Sequence, residues 1–163
     1  MRHSFAPFGI IERTLLSRAT SIDYSRTVFD SPRWLCVSGY DDDDQLMGVC
    51  AFEFVSWFEA YFSIAILDRR CITRRIMRAM FTAVFSQAVR VTAEIEPAKG
   101  EAIRQARLMG FEPEGYKRLA IEGARDAVLF GMTKDTCRYL HRRQRAAAAE
   151  TDEVSDGQLA PSS

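Results

Sequence analysis

The chain has 163 residues, 47% of them apolar, enough to build one domain around a substantial core. Lysine plus arginine and aspartate plus glutamate stand at 22 each, so the overall charge selects neither a long polyanion nor an anionic membrane as partner. No apolar run reaches the length of a membrane span, and Met1-Arg2-His3-Ser4 is not followed by a signal-peptide core, so the expected location is the cytoplasm.

Residues 1–18 carry Phe5, Phe8, Ile10, Ile11, Leu15 and Leu16 and read as an ordered arm or first strand. Ser21 is placed to cap a helix running to Phe29, which Ser31-Pro32 would end. Arg33 to Tyr40 reads as a strand, Asp41 to Asp44 as a solvated hairpin tip and Gln45 to Ser56 as the antiparallel partner. The acidic tip lacks the glycine and the distal glutamate of a calcium loop, and no metal is expected. Ala60 to Leu67 is an apolar run of strand length, followed by a helix over 74–88 with apolar residues at helical spacing. Val89 to Glu96 alternates as a half-buried strand, closed by Pro97, and Gly100 to Met109 is a helix that Gly110 ends. Gly115 to Ala120 and Ala127 to Thr133 form two strands joined by a turn over 121–126. Asp135 to Ala149 is expected to be a basic terminal helix, and residues 150–163 to be a disordered acidic tail. A β-meander followed by strand, helix, strand, helix and two strands predicts a single α/β or α+β domain. The unit over 60–96 should be a right-handed parallel crossover.

The segment Asp68-Arg69-Arg70-Cys71-Ile72-Thr73-Arg74-Arg75 puts four arginines between a buried strand and a helix start. Helix N-termini carry unpaired N–H groups and the positive end of the dipole, so an anionic, nucleotide-like ligand is the first expectation. Cys36, Cys50, Cys71 and Cys137 are widely spaced and form no metal grouping with the two histidines, so reduced thiols packed in the core are expected. Cys71, beside arginines at a helix N-terminus, is expected to be an exception with a depressed pKa and a reactive thiolate.

Ala102-Ile103-Arg104-Gln105-Ala106-Arg107-Leu108-Met109-Gly110-Phe111 is similar to the segment Asn-x-x-Ala-x-x-x-Tyr-x-x-x-Gly-Phe of the GNAT superfamily of N-acetyltransferases. The cationic turn stands where those proteins carry Gln/Arg-x-x-Gly-x-Gly/Ala, the loop around the acetyl-CoA pyrophosphate. Its key positions here are Asp68, Cys71 and Thr73, so both loop glycines are replaced. Leu129 to Leu140 resembles GNAT-like proteins encoded in phages and prophages. The resemblance implies a GNAT-like single domain with a central mixed, mostly antiparallel sheet flanked by helices. Residues 1–140 would form the acyl-CoA-binding domain and 141–149 the end of a basic helix. It implies acetyl-CoA as cosubstrate, bound by Ile66, Leu67, Arg69, Arg70, Cys71, Ile72, Thr73, Arg74, Arg75 and Lys99. Lys99 stands at the position of the family Asn, and Ala106 at that of the Tyr proposed to protonate the departing thiolate. Tyr116 and Tyr139 are the available substitutes. Glu53, opposite in strand phase to Phe52 and Phe54, is the candidate general base, with Glu59 and Glu94 as others.

The implied function is acetyl transfer to an amine of a small molecule or protein. The alternative is a catalytically degenerate GNAT-fold structural or interaction protein, phage-encoded, placed in the host cytoplasm or the virion. Exposed sheet edges leave a homodimer open. Nucleic-acid binding by the basic segment 138–145 is disfavoured, because aromatics are not interleaved beyond Tyr139.

Overall fold

In the computed structural model, which describes residues 1–141, the chain runs β1 (Arg2–Ser4), α1 (Ile10–Thr20), β2 (Trp34–Tyr40), β3 (Leu46–Phe54) and β4 (Glu59–Ile66). It continues as a short 3-10 turn (Arg69–Cys71), α2 (Arg74–Val84), β5 (Arg90–Ile95), α3 (Gly100–Met109), β6 (Glu112–Ile121) and β7 (Arg125–Thr133). The strands form one seven-stranded sheet in the order β1-β2-β3-β4-β5-β7-β6. Every neighbouring pair is antiparallel except β4 and β5, which α2 joins as a parallel crossover. This is the mixed, mostly antiparallel α+β architecture expected.

Strand alternation divides the apolar residues between two faces. Cys50 and Phe52 of β3, Ala60 and Phe62 of β4, and Val91 and Ala93 of β5 point to one side, where α2 and α3 cover them. The α2 contribution, Ile76, Met77, Met80, Phe81 and Val84, follows the 3.6-residue period read from the sequence. Val49, Ala51 and Ala65 point to the other side, beneath Phe8, Leu16, Tyr24 and Phe29. Each fully buried Phe or Leu removes enough apolar surface to contribute roughly 1.5–3 kcal/mol.

Three expectations are corrected. The N-terminal segment makes only a three-residue strand and then a helix, and Ser21 ends that helix instead of starting one over 21–29. Ser21 adopts the left-handed conformation (φ 63°) and its N–H donates to the Ser17 carbonyl. Residues 22–33 form turns whose aromatics, Tyr24 and Phe29, are drawn into the second core. Burial of those two rings overrides the local helical preference. Residues 135–141 form turns, not the first turn of a helix, while the rest of the expected helix and the acidic tail lie outside the described residues. α2 also stops at Val84, four residues early, because the chain bends to bury Phe85 and Ala88. Among the described residues no helix is long and apolar enough to cross a membrane.

Candidate active site

The site arises from a break in the sheet. β4 and β5 pair over Glu59↔Arg90, Ala60↔Val91 and Tyr61↔Thr92 only, although β4 continues to Ile66 and β5 to Ile95. Beyond Tyr61 the two strands splay. The exposed edge of β4 can be read from its neighbours: the Val55 N–H donates to Glu59 O, and the Leu67 N–H donates to Met47 O at 2.8 Å. Odd-numbered residues of β4 therefore bond toward β3. Phe58 O, one step out of phase, accepts from the N–H groups of Val89 and Arg90 on the β5 side. The same alternation turns the main chain of Ile64 and Ile66 into the gap, which is a cleft of about 290 Å³. Its walls are Phe62 to Ile66, Ala93 to Glu96, and Ala102, Ala106 and Met109 of α3. An unpaired strand edge inside a cleft is a receptor for an extended ligand, which would add main-chain hydrogen bonds as a further strand.

Of the expected cofactor residues, Ile66 and Lys99 line this cleft. Burial lowers the Lys99 ammonium pKa, and its Nζ–H donates to Ala19 O, tying α3 to α1. Leu67 lies outside the lining, its amide committed to Met47. The cationic turn follows at the carboxyl end of β4 and is partly satisfied by its own side chains. Asp68 caps the 3-10 turn by accepting from the Arg70 N–H at 2.8 Å, and its carboxylate also pairs with the Arg70 guanidinium at 2.7 Å. That guanidinium, and the backbone N–H after it, hold the Asp68 pKa below its ordinary value. Thr73 caps α2 through the Ile76 N–H at 3.2 Å. The N–H groups of Arg74 and Arg75 precede the intrahelical ladder and meet no hydrogen-bond partner among the described residues. Arg69 bridges to Glu101 of α3 at 2.8 Å, and an Arg74 Nη–H reaches the Arg138 carbonyl at 3.5 Å.

Cys71 and Ile72 are turned away from the cleft, toward a small void of about 30 Å³ under β3 and α2. The reactive thiolate expected at Cys71 is corrected: its thiol is buried, and burial raises its pKa, with Asp68 adding to the shift. All four cysteines are buried and unpaired.

On the α1 side of the sheet the cleft meets a groove of about 250 Å³, lined by Tyr24, Trp34, Glu53, Tyr61, Glu94 and Lys117 among others. Glu53 does point away from the Phe52 side, as its strand phase predicts, but sits out along this groove, ion-paired with Arg33 at 2.8 Å. Glu59 accepts from the Thr92 hydroxyl at 2.6 Å, below the splay. Glu94 lines both cavities and accepts from Lys117 Nζ at 2.8 Å. Ala106 forms part of the cleft wall, and neither substitute tyrosine faces it. The Tyr116 hydroxyl donates to Asp126 at 2.9 Å, and the Tyr139 ring stacks on Phe81 at 5.5 Å. Ile64, Ser63 and Tyr24 are site residues that sequence reasoning missed. Their place depends on which strand edge lies open and on where an irregular loop packs, and neither has a local signal. Among the described residues no cluster of His, Cys, Asp and Glu is arranged to hold a metal.

No protein-family model matches the chain, and neither does any curated protein. Solved structures do match. The chain is similar to the ribosomal-protein-S5-alanine acetyltransferase of Vibrio fischeri, with 17% identity over 65% of this chain and 64% of that one, and a TM-score of 0.52. It thus spans slightly less than two-thirds of that enzyme. A chimera of the Vibrio cholerae spermidine N-acetyltransferase gives 13% identity over 87% of this chain and all of that one, with a TM-score of 0.60. A Streptococcus mutans protein gives 15% identity over 82% and 99%, with a TM-score of 0.59. At these identities the likeness is one of architecture. The chain has the fold of the GNAT N-acetyltransferases.

Proposed function

We propose that this chain is an acetyl-CoA-dependent N-acetyltransferase whose acceptor is an amine of a small molecule or protein. The observation that carries this reading is the open β4 edge, where Ile64 and Ile66 present main-chain groups to a cleft whose lining includes Glu101, the partner of Arg69. The pantetheine arm would pair with those groups. The pyrophosphate would sit at the N–H groups of Arg74 and Arg75, with Arg69, Arg70 and Arg74 supplying charge-assisted hydrogen bonds in place of the missing loop glycines. Arg69 and Arg70 are already paired, but with partners on an exposed surface. Such solvent-screened pairs are worth little, so a phosphate can redirect the guanidiniums at little cost.

Glu94 replaces Glu53 as the preferred general base. A base has to stand where the acceptor nitrogen meets the acyl carbon, and Glu94 lines both cavities whereas Glu53 lines only the groove. With the thioester held beside the amine, positioning supplies much of the rate, and loss of one acid at Ala106 is compatible with turnover.

The test has two parts. Acetyl-CoA titrated into the protein by calorimetry should bind at micromolar concentration, and Arg70→Ala with Arg74→Ala should weaken it tenfold or more. No heat at millimolar ligand would overturn the proposal. Release of CoA should then be followed over a panel of amines headed by spermidine. For whichever amine is accepted, Glu94→Gln should lower kcat by about a hundredfold with acetyl-CoA affinity retained. A second reading, a non-catalytic protein of this fold such as a virion component, is favoured by Asp68 filling the turn with its own cap and by Ala106 at the expected acid position. Micromolar acetyl-CoA binding without turnover of any amine would support it.

A further inference from the structure

The cofactor cleft and the acceptor groove share four lining residues: Ile22, Phe62, Ser63 and Glu94. A reaction between a ligand in one cavity and a ligand in the other has to occur there, and only Ser63 and Glu94 bring a polar side chain to the junction. Glu94 accepts from Lys117. Ser63 is engaged from the opposite direction: its Oγ lies 2.8 Å from the phenolic oxygen of Tyr24, 39 residues earlier in the chain. Ser63 is odd-numbered in β4, so its side chain shares the α1 face with Ala65. Tyr24 is only 6% exposed, and its ring is fixed between those of Phe29, at 5.8 Å, and Trp34, at 6.3 Å. The hydroxyl pair is therefore held in place by the second core, not by the mobility of two surface side chains. Burial also raises the Tyr24 pKa, so the phenol keeps its proton at neutral pH.

We propose that Ser63 is the proton donor to the leaving sulfur in this site and that Tyr24 is the positioning residue behind it. The inference rests on the acetyltransferase reading above. With Tyr24 donating to Ser63 Oγ, the Ser63 hydroxyl hydrogen is free to point into the junction. The nitrogen lone pair forms the C–N bond to the acyl carbon, and the C–S bond breaks with its electron pair going to sulfur. Sulfur takes the Ser63 proton as Ser63 takes the Tyr24 proton, while Glu94 takes the proton given up by the attacking nitrogen and returns it to Tyr24 through solvent. The net change is one proton moved from nitrogen to sulfur, with no oxidant or reductant. Ser63 and Tyr24 thus supply the donor that Ala106 cannot, from the opposite wall of the cleft.

The test needs no knowledge of the acceptor. Calorimetry at pH 9, where a fraction of the CoA thiol is ionised and the site can draw the rest to thiolate, compares CoA with desulfo-CoA. In the unaltered chain CoA should bind about tenfold or more tighter, since a hydroxyl donating to a thiolate is a charge-assisted hydrogen bond. Ser63→Ala should abolish that preference, Tyr24→Phe should reduce it severalfold, and Ser63→Thr, which keeps the hydroxyl, should restore it. Affinity for desulfo-CoA should stay within about twofold in all four proteins, which controls for damage to the fold. A preference that survives Ser63→Ala, or an unaltered chain that binds both ligands equally, would overturn the inference and leave the cofactor site standing. Failure to bind either ligand would overturn the cofactor reading, and this inference with it.

Discussion

Gly48 of β3 stands opposite Ile66, and a Cβ built there would lie 2.9 Å from the Ala65 carbonyl oxygen and 3.0 Å from the Cys71 sulfur. The residue is glycine for reasons of space. Its backbone has no positive φ, but the chain beyond β4 folds back close enough to leave room only for hydrogen. Gly48→Ala is therefore expected to destabilise the protein by about 1–3 kcal/mol, as overpacking of a tight site does. Urea unfolding measures this, and an unchanged midpoint would contradict the close seating of Cys71 beneath β3. The same contact explains why Cys71 is not the reactive thiol its neighbours in sequence suggest. Arginines adjacent in the chain lower a thiol pKa only if the sulfur faces them and the solvent, and here the sulfur faces Gly48 and the Met47 carbonyl.

At the scale of elements, the arginine turn, α2 and α3 act together. Glu101 in the first turn of α3 receives Arg104, Gln105 and Arg69, and the hydrogen bond from Arg104, then that from Gln105, pull its pKa from 4.5 to about 2. A depressed carboxylate pKa stabilises the folded state above the ordinary value, and that contribution is lost as pH falls through the depressed one. The melting-temperature difference between the unaltered chain and Glu101→Gln should thus be fully developed above pH 4.5, and should vanish by about pH 2. The difference should be small, because these groups are exposed. A difference independent of pH would show that the pairing adds nothing. α1 behaves differently from α2. Ile10 and Ile11 are 81% and 67% exposed, and only Leu16 is fully buried, so the helix has no clean apolar stripe and was legible only as an ordered arm.

For the molecule as a whole, stability centres on Phe81 of α2, which is fully buried and sits among the rings of Phe52, Phe62, Phe85, Phe111 and Tyr139. Phe81→Ala should cost about 3–5 kcal/mol by urea unfolding, and a loss under about 1 kcal/mol would contradict a core organised around that face. Much of this arrangement was legible in the chain itself. The strands now seen as β2 to β5, the amphipathic α2, the Gly110 stop of α3 (φ 98°) and the turn between β6 and β7 all follow from periodicity and turn chemistry, which act over a few residues. So does the phase of Glu53 against Phe52. The cleft is another matter. It exists because β4 and β5 separate after Tyr61 and Thr92, residues far apart in sequence. The meeting of Ser63 with Tyr24, and of Glu94 with Lys117, spans 39 and 23 positions. By itself the sequence determined which segments become strands and helices and where positive charge gathers, because local forces decide those. Only the tertiary structure decided which strand edge stays open, which carboxylate reaches the junction and which thiol is hidden, because those depend on long-range pairing and packing.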